Sequence, residues 1–170
     1  DGGGCDVEIL LPTAEPHRLT LGQLVIAAAM NVTIRSSDFS PASGGATSGG
    51  AASGGPPSAE DGSLAVVDGS SNKVEDRGGF VYMTGGALVL EGLHLTRFRG
   101  STRGGVLGMR GQGAQTLALR SSVFSFNAAQ WYGGAVYAYG ADGDVPGSAT
   151  LEVSRVAFLD NSALYNGGAV

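Results

Sequence analysis

TLALRSSVFSFNAAQWYGGAV, residues 116–136, recurs further along the chain as TLEVSRVAFLDNSALYNGGAV, residues 150–170. The two copies align without a gap at a 34-residue offset. The identical pairs include Thr116/Thr150, Leu117/Leu151, Phe124/Phe158, Asn127/Asn161, Gly133/Gly167, Gly134/Gly168, Ala135/Ala169 and Val136/Val170. Self-similarity at a fixed period is the signature of stacked repeat units, so the sequence predicts a repeat architecture.

Looser copies of the same template lie upstream, at residues 31–40 and 87–107. Each carries three apolar residues in the phase of Leu117, Leu119 and Phe124. These residues are Val32, Ile34 and Phe39 in the first copy and Leu88, Leu90 and Leu95 in the second. Double glycines begin at Gly78, Gly104, Gly133 and Gly167, and the interval between them lengthens along the chain. Uneven spacing predicts a constant unit with loops of variable length.

The repeated segments have the pattern of short strands. Residues 117–123 and 151–156 alternate apolar and polar side chains with a period of two, and no helical period competes with it. Like residues recur in like order, which favours parallel stacking of one copy on the next, about 4.8 Å apart, over hairpins. Phe124 should then lie on Phe158 in the core, while side-chain amides bond along the stack at a corner. The sequence therefore predicts an all-β solenoid.

The paired motif F-x-x-N and G-G-A-[ILV] resembles that of the polymorphic membrane protein repeats, best known from chlamydial surface autotransporters. Residues 124–136 and residues 158–170 carry both halves of the motif. The upstream copies depart from it, because Phe98 replaces the asparagine and Phe80 replaces the alanine. The resemblance implies a right-handed parallel β-helix of the pectin-lyase-like kind, displayed outside the cell.

Composition agrees with one elongated domain, which is the expectation for a chain of 170 residues. Hydrophobic residues make up 42% of the chain, enough for a narrow continuous core. Charged residues make up only 15%, and the net charge of -5 disfavours nucleic acid as a partner. No apolar run approaches the roughly 20 residues that a membrane-spanning helix needs.

The repeats are predicted to occupy residues 31–170, and two regions depart from them. Residues 1–30 should lead into the repeats as an irregular first repeat or cover their open edge with a short capping helix. Residues 41–58 are low-complexity Gly, Ala, Ser and Pro, which predicts a loop that leaves after Phe39 and returns near Gly78. Because Val170 stands where Val136 continues into a strand, we expect further repeats or another chain to follow.

Candidate chemical sites are few. Asn31 begins an N-x-T sequon, which either accepts a glycan or reflects strand composition by chance. Cys5 is the only cysteine and either pairs outside this segment or is a small buried residue. Asp142 and Asp144 offer two carboxylates, fewer ligands than calcium needs, so a solvated turn is favoured. We predict no metal site, no catalytic residue and no cofactor.

Enzymes of this fold class that act on polysaccharides need clustered carboxylates. Glu152 and Asp160, with Arg120 and Arg155 nearby in the repeat, come closest to such a cluster. They align with Ala118 and Phe126 of the preceding copy and not with acids. His94 lies in a strand pattern, where an outward-facing role is favoured over that of a catalytic base.

Aromatic residues concentrate around the last two glycine pairs. They are Trp131, Tyr132, Tyr137, Tyr139 and Tyr165. Corner packing explains some of them, and a sugar-stacking strip is the alternative. The sequence thus predicts a non-catalytic extracellular β-helix segment, a structural or adhesive building block of a larger cell-surface protein or filamentous assembly. Its partners would be further repeats, neighbouring chains or glycans. A carbohydrate-active enzyme and a carbohydrate-binding module remain the alternatives.

Overall fold

The computed structural model describes residues 5–18, 23–39, 55–60, 62–71, 79–100, 102–111, 113–139, 141–142, 145–146 and 148–170. Every regular element in these residues is a β-strand, which confirms the predicted all-β class. The strands are β1 (Cys5–Leu11), β2 (His17–Arg18), β3 (Leu24–Ile26), β4 (Met30–Ser36), β5 (Ala65–Asp68), β6 (Val81–Met83), β7 (Gly86–Glu91), β8 (Leu93–Thr96), β9 (Arg99–Gly100), β10 (Leu107–Arg110), β11 (Gln115–Arg120), β12 (Val123–Ser125), β13 (Ala128–Ala129), β14 (Val136–Tyr139), β15 (Ala141–Asp142), β16 (Val145–Pro146), β17 (Ala149–Ser154), β18 (Ala157–Leu159) and β19 (Ser162–Ala163). No described residue belongs to a helix that could span a membrane.

Three parallel sheets contain most of the strands. The first sheet has the order β1-β4-β7-β11-β17, the second β2-β5-β8-β12-β18 and the third β3-β6-β10-β14. A small sheet of β9, β13 and β19 lies between the second and third sheets in chain order. The chain therefore visits the first, second and third sheets in turn and then returns to the first. Of the described strands, only β15 and β16 pair antiparallel.

The strand register follows the spacing of the sequence repeats. Leu117 lies beside Leu151, which is its counterpart in the copy at residues 150–170. Leu88 also lies beside Leu117, and Leu107 lies beside Val81, although these pairs are closer together in the sequence. The predicted parallel alignment of the copies is thus confirmed, and the length differences between copies fall in the connections.

The prediction for the segment after β4 was wrong in one respect. Phe39 was expected to occupy the strand position of Phe124, but it lies outside the strands and its ring packs against Gly92. The chain rejoins the second sheet at β5, well before Gly78, and Val67 takes the expected place of Phe39 beside Leu95. The strand position is filled instead from beyond the insertion, by the segment that pairs with β8. Gly78 and residues 41–54 lie outside the described residues.

The first part of the chain repeats the pattern of the later parts. β1 pairs with β4 along its whole length, β2 pairs with β5, and β3 pairs with β6. The described residues between 5 and 30 contain no helix, while residues 1–4 and 19–22 of the predicted entry or capping segment lie outside the described residues. β1 and β17 lie at the two edges of the first sheet and are both mostly exposed, and Ile9 and Leu11 of β1 are partly buried against the core.

One buried cluster joins the three sheets. Leu90 of the first sheet, Phe124 of the second and Met109 of the third are fully buried members of it. Phe98, at the position of the missing asparagine, is also buried and its ring lies 5.8 Å from that of Phe80. The copy at residues 87–107 therefore replaces a hydrogen-bonding residue with a larger apolar one at the same place in the core.

The copies at residues 116–136 and 150–170 stack through identical residues. The rings of Phe124 and Phe158 are stacked with centroids 5.2 Å apart. Asn127 Nδ2 donates a hydrogen bond to Asn161 Oδ1 at 2.9 Å and another to the Leu95 carbonyl at 3.0 Å. Asn127 Oδ1 accepts from the Phe98 backbone N–H at 3.0 Å. The asparagine thus satisfies backbone groups of the repeat before it while bonding to the repeat after it.

The two glycines of each pair are needed for different reasons. Gly133 has φ of 61°, a left-handed conformation that favours glycine. A side chain on Gly134 would collide with the carbonyl oxygen of Gly168 in the next repeat. The first glycine therefore permits the turn, and the second permits close approach of successive repeats.

Candidate functional site

Five aromatic rings form a continuous cluster outside the core, which we call the aromatic surface. Its members are Trp131, Tyr132, Tyr137, Tyr139 and Tyr165. Tyr137 and Tyr139 alternate along β14 and so project from the same face of the strand. Trp131 and Tyr165 are related by the 34-residue offset and lie in successive repeats. The repeat itself therefore assembles the cluster.

The rings contact one another in sequence across the aromatic surface. Trp131 and Tyr165 have centroids 5.4 Å apart, and Tyr165 lies 6.5 Å from Tyr132. Tyr132 stacks on Tyr137 at 6.1 Å, and Tyr137 stacks on Tyr139 at 6.3 Å. Trp131 is 43% exposed and Tyr165 is 62% exposed. Packing in the core does not account for such rings, and contiguous exposed rings of this kind mark interaction sites.

Arg103 inserts a positive charge into the aromatic surface. Its backbone bridges to that of Tyr132 in the next repeat. The guanidinium carbon lies 5.7 Å from the Tyr132 ring centroid and 5.5 Å from that of Tyr137. Both distances fall within the range of cation–π attraction, which fixes the guanidinium against the two rings.

A second feature is a cleft of about 500 Å³ on the outer side of the second sheet. His94 is one of the residues that line it, with Nε2 2.7 Å from the Ser125 hydroxyl oxygen. Ser125 donates in turn to the hydroxyl oxygen of Thr96 at 3.1 Å. Burial lowers the pKa of His94, the positive charge of Arg97 adds to the effect, and a hydrogen bond to the Ala59 backbone opposes it. His94 faces away from the core, as predicted, but is half-buried.

Arg97 and Asp68 form a structural ion pair beside this cleft. Arg97 donates from Nε to Asp68 Oδ1 at 3.0 Å and from a terminal nitrogen to Oδ2 at 2.7 Å. Ser70 donates to Asp68 from its backbone and its hydroxyl, at 2.9 and 3.1 Å. Burial raises the pKa of Asp68, but the hydrogen bonds from Arg97 and Ser70 outweigh it and leave the pKa lowered. Asp68 is only 1% exposed, so these donors keep a buried carboxylate ionised.

The acids singled out in the sequence do not converge. Glu152 lies beside Ala118, as its alignment predicts, whereas Asp160 lies at the rim of the His94 cleft. Among the residues that the structure describes, no three His, Cys, Asp or Glu side chains are grouped so as to hold a metal ion. Gly143 and Asp144 are outside that set, so the proposed turn around Asp142 is not described.

Two further predicted sites lie near the start of the chain. Asn31 is exposed in β4, and its Nδ2 donates to Asp6 Oδ1 at 2.8 Å. The sequon is thus on the surface, and its glycosylation stays a prediction. Cys5 is exposed with a free thiol, so the alternative of a small buried residue is wrong.

Sequence reasoning missed Arg103 because it averaged charge over the whole chain. Residues 92–141 contain five arginines and no acidic residue, whereas the whole chain has 10 basic and 15 acidic residues. Counting charge along the chain reveals this basic stretch. The aromatic strip was considered, but its continuity with Arg103 depends on contacts between repeats.

Searches of family models, of curated proteins and of solved structures find no match to this chain.

Proposed function

We propose that this chain is a segment of a right-handed parallel β-helix, displayed outside the cell, that serves without catalysis as a structural or adhesive building block. It belongs, on this proposal, to a larger surface protein or filamentous assembly and resembles the polymorphic membrane protein repeats. Its partners are further repeats or neighbouring chains, and glycans on its outer faces. It needs no cofactor.

The observation that carries the proposal is the contact between successive repeats. Ring stacking of Phe124 on Phe158 and the hydrogen bond from Asn127 to Asn161 join the same positions of adjacent copies. An array in which each unit contacts only its neighbours extends by adding units, and its stability grows with their number. Such an array suits a spacer or a scaffold better than a closed catalytic pocket.

The sequence motif has physical roles that support the resemblance. Phe124 fills the core, Asn127 joins repeats through its amide, Gly133 adopts the left-handed turn and Gly134 admits the next repeat. In the copies at residues 116–136 and 150–170 both halves of the motif are present. The regular visits of the chain to three parallel sheets around one buried cluster further support a β-helix.

The geometry of the acids argues against a polysaccharide-cleaving enzyme. Asp68 is in β5 and Asp160 follows β18, with β8 and β12 between these strands. Three strand spacings amount to about 14 Å, beyond the roughly 5–9.5 Å that separates the carboxyl groups of glycosidases. Ser125 is 1% exposed, which leaves its hydroxyl poorly placed to attack a substrate. A binding role is favoured instead by the exposed aromatic surface.

Duplication of one repeat tests the building-block proposal. A second copy of residues 116–149 would be inserted after Ala149, and particle length would be measured by small-angle X-ray scattering. We expect the particle to lengthen by about 4.8 Å with an unchanged cross-section and to unfold at a higher denaturant concentration. The control inserts the same segment with its sequence in scrambled order. A compact particle that widens, or equal results for both insertions, would contradict the proposal.

Enzymatic activity is tested separately. Purified protein would be incubated with polygalacturonate and with neutral polysaccharides, and reducing ends and unsaturated products would be measured. We expect no turnover above that of a heat-denatured control. Sustained product release that disappears in a His94→Gln variant would overturn the non-catalytic assignment.

A further inference from the structure

We infer that the aromatic surface binds an acidic polysaccharide, with sugar rings stacked on the exposed aromatic side chains and a carboxylate or sulfate group held by Arg103. This inference names a partner for the adhesive role proposed above and rests on that role. Its basis is the combination of exposed rings and a fixed cation in one place.

The rings suit a sugar chain in both exposure and spacing. Trp131, Tyr139 and Tyr165 are exposed, and neighbouring rings along the cluster are 5.4–6.5 Å apart. These steps are comparable to the length of one pyranose unit. The C–H faces of pyranoses pack on aromatic faces, and tyrosine hydroxyls supply hydrogen bonds at the ring edge. Tyr132 and Tyr137 are half-buried and lie against Arg103, so a polymer would stack its sugars on the exposed rings of the cluster and pass over these two.

Arg103 gives this surface a preference for negative charge. Among the described residues, no carboxylate lies within ion-pair distance of its guanidinium. The guanidinium is held against Tyr132 and Tyr137, so little freedom remains to be lost when it binds an anion. Arg99, exposed on β9 earlier in the same repeat, adds to the basic character of that repeat. A planar fork of donors recognises carboxylate and sulfate oxygens through paired hydrogen bonds.

Single-stranded nucleic acid also uses aromatic rings and arginine, so it is the chief competing occupant. Its backbone carries a charge at every nucleotide, and the net charge of -5 on the whole chain repels such a polymer. A polysaccharide with charge on some units needs only a local cation. The charge distribution of this protein thus favours the polysaccharide.

Binding is tested by titration calorimetry of the purified protein at low salt with four probes. Partly methyl-esterified polygalacturonate and lightly sulfated dextran supply a carboxylate or a sulfate on some of their units, while dextran is neutral and oligothymidylate represents nucleic acid. We expect binding to one or both acidic polysaccharides, weakening as salt is added, and no binding to dextran or oligothymidylate. Comparison of the two acidic polysaccharides identifies the anionic group.

Two variants and two matched controls locate the site. Arg103→Gln should weaken binding about tenfold, the usual consequence of losing one charge-assisted pair of hydrogen bonds. Trp131→Ala should weaken it at least about fivefold through lost stacking. The controls are Arg120→Gln, which removes an exposed arginine of β11, and Phe126→Ala, which removes an exposed ring beside the His94 cleft. Both should bind within about twofold of the unmodified protein.

Several results would overturn the inference. Equal binding to dextran, tighter binding to oligothymidylate, or equal losses in Arg103→Gln and Arg120→Gln would each do so. If Arg103→Gln fails to fold, the salt dependence and the Trp131→Ala comparison decide the matter. If the protein binds no acidic polysaccharide but responds to repeat duplication as expected, only the polysaccharide inference is refuted. If the duplication test fails, the building-block proposal itself is refuted.

Discussion

Two pairs of aromatic residues share the 34-residue offset and nearly the same spacing, yet they lie in opposite environments. Phe124 and Phe158 have ring centroids 5.2 Å apart, and Phe124 is 0% exposed. Trp131 and Tyr165 have centroids 5.4 Å apart and are 43% and 62% exposed. The 34-residue offset therefore determines which residues are in contact. Burial determines whether that contact stabilises the core or leaves ring faces available to a ligand.

The inner pair derives its stabilising effect mainly from burial. A direct contact between aromatic rings contributes about 0.5–1.5 kcal/mol in either environment. Removing a fully buried ring also loses its transfer from water and leaves a cavity. The outer pair retains exposed ring faces, which remain free to contact a ligand. Substitutions of inner and outer residues test this difference through their effects on stability.

The largest effect is expected for Phe124→Ala, which should lower the free energy of unfolding by about 3–5 kcal/mol. Trp131→Ala should lower it by less than about 1.5 kcal/mol, since the lost term is chiefly ring contact. Urea midpoints and slopes for both variants check the comparison. Equal losses would mean that the outer pair is structural too.

Asn127→Ala should cost about 2–3 kcal/mol, because the buried N–H of Phe98 and the carbonyl of Leu95 both lose their partner. Asn161→Ala is the matched change in the next repeat, and we expect a smaller loss there because Asn161 is only partly buried. Equilibrium urea unfolding measures both. A larger loss of stability at Asn161 than at Asn127 would contradict the role assigned to the hydrogen bonds of Asn127.

A smaller, pH-dependent effect is expected from His94. Its pKa is lowered in the folded protein, so the unfolded chain binds the proton first as pH falls. The stability that comes from neutral His94 is fully present above about pH 6.5, the ordinary histidine value, and decreases from there towards the folded pKa. Unfolding free energies between pH 7.5 and 5.5 should show this slope, and His94→Gln should reduce it. An unchanged slope in the variant would assign the dependence to other groups.

The smallest effect is expected for Glu8→Gln on the first sheet. Glu8 accepts from Arg35 of the neighbouring strand at 2.7 Å, but both side chains are substantially exposed. Such surface pairs contribute about 0–1 kcal/mol. Thermal melting at low and high salt measures the contribution. A loss above about 2 kcal/mol would show that outer contacts between repeats matter as much as inner ones.

The sequence was sufficient to predict the strand register where two copies of the repeat share identical residues. The register of β11 with β17 and of β12 with β18 follows from the identical residues of the two copies. β5 was missed because AVVD carries neither half of the motif and follows a low-complexity insertion. Its place is determined by pairing with β8 and β2, which are distant in sequence. Local pattern cannot reveal a strand whose identity depends on such partners.

The candidate site was less accessible to prediction than the core. Tyr137 and Tyr139 stood out in the sequence by their place near the glycine pairs, but the link to Arg103 crosses from one repeat to the next. His94 was placed on the outer side from its strand pattern. Its partial burial could not be predicted, because the cleft also includes Ala59 from beyond the low-complexity insertion.

The most direct test of the in-register parallel stack is a distance across the first sheet. Glu8 and Glu152 occupy matching positions on β1 and β17, with Thr33, Val89 and Ala118 between them. Spin labels on cysteines at positions 8 and 152, in a Cys5→Ser background, would be measured by double electron–electron resonance. Four strand spacings predict a backbone separation of about 19 Å, and a narrow distribution near that value is the expected result. A broad distribution, or a maximum beyond about 35 Å, which is nearly twice the span of four strand spacings, would contradict the stack.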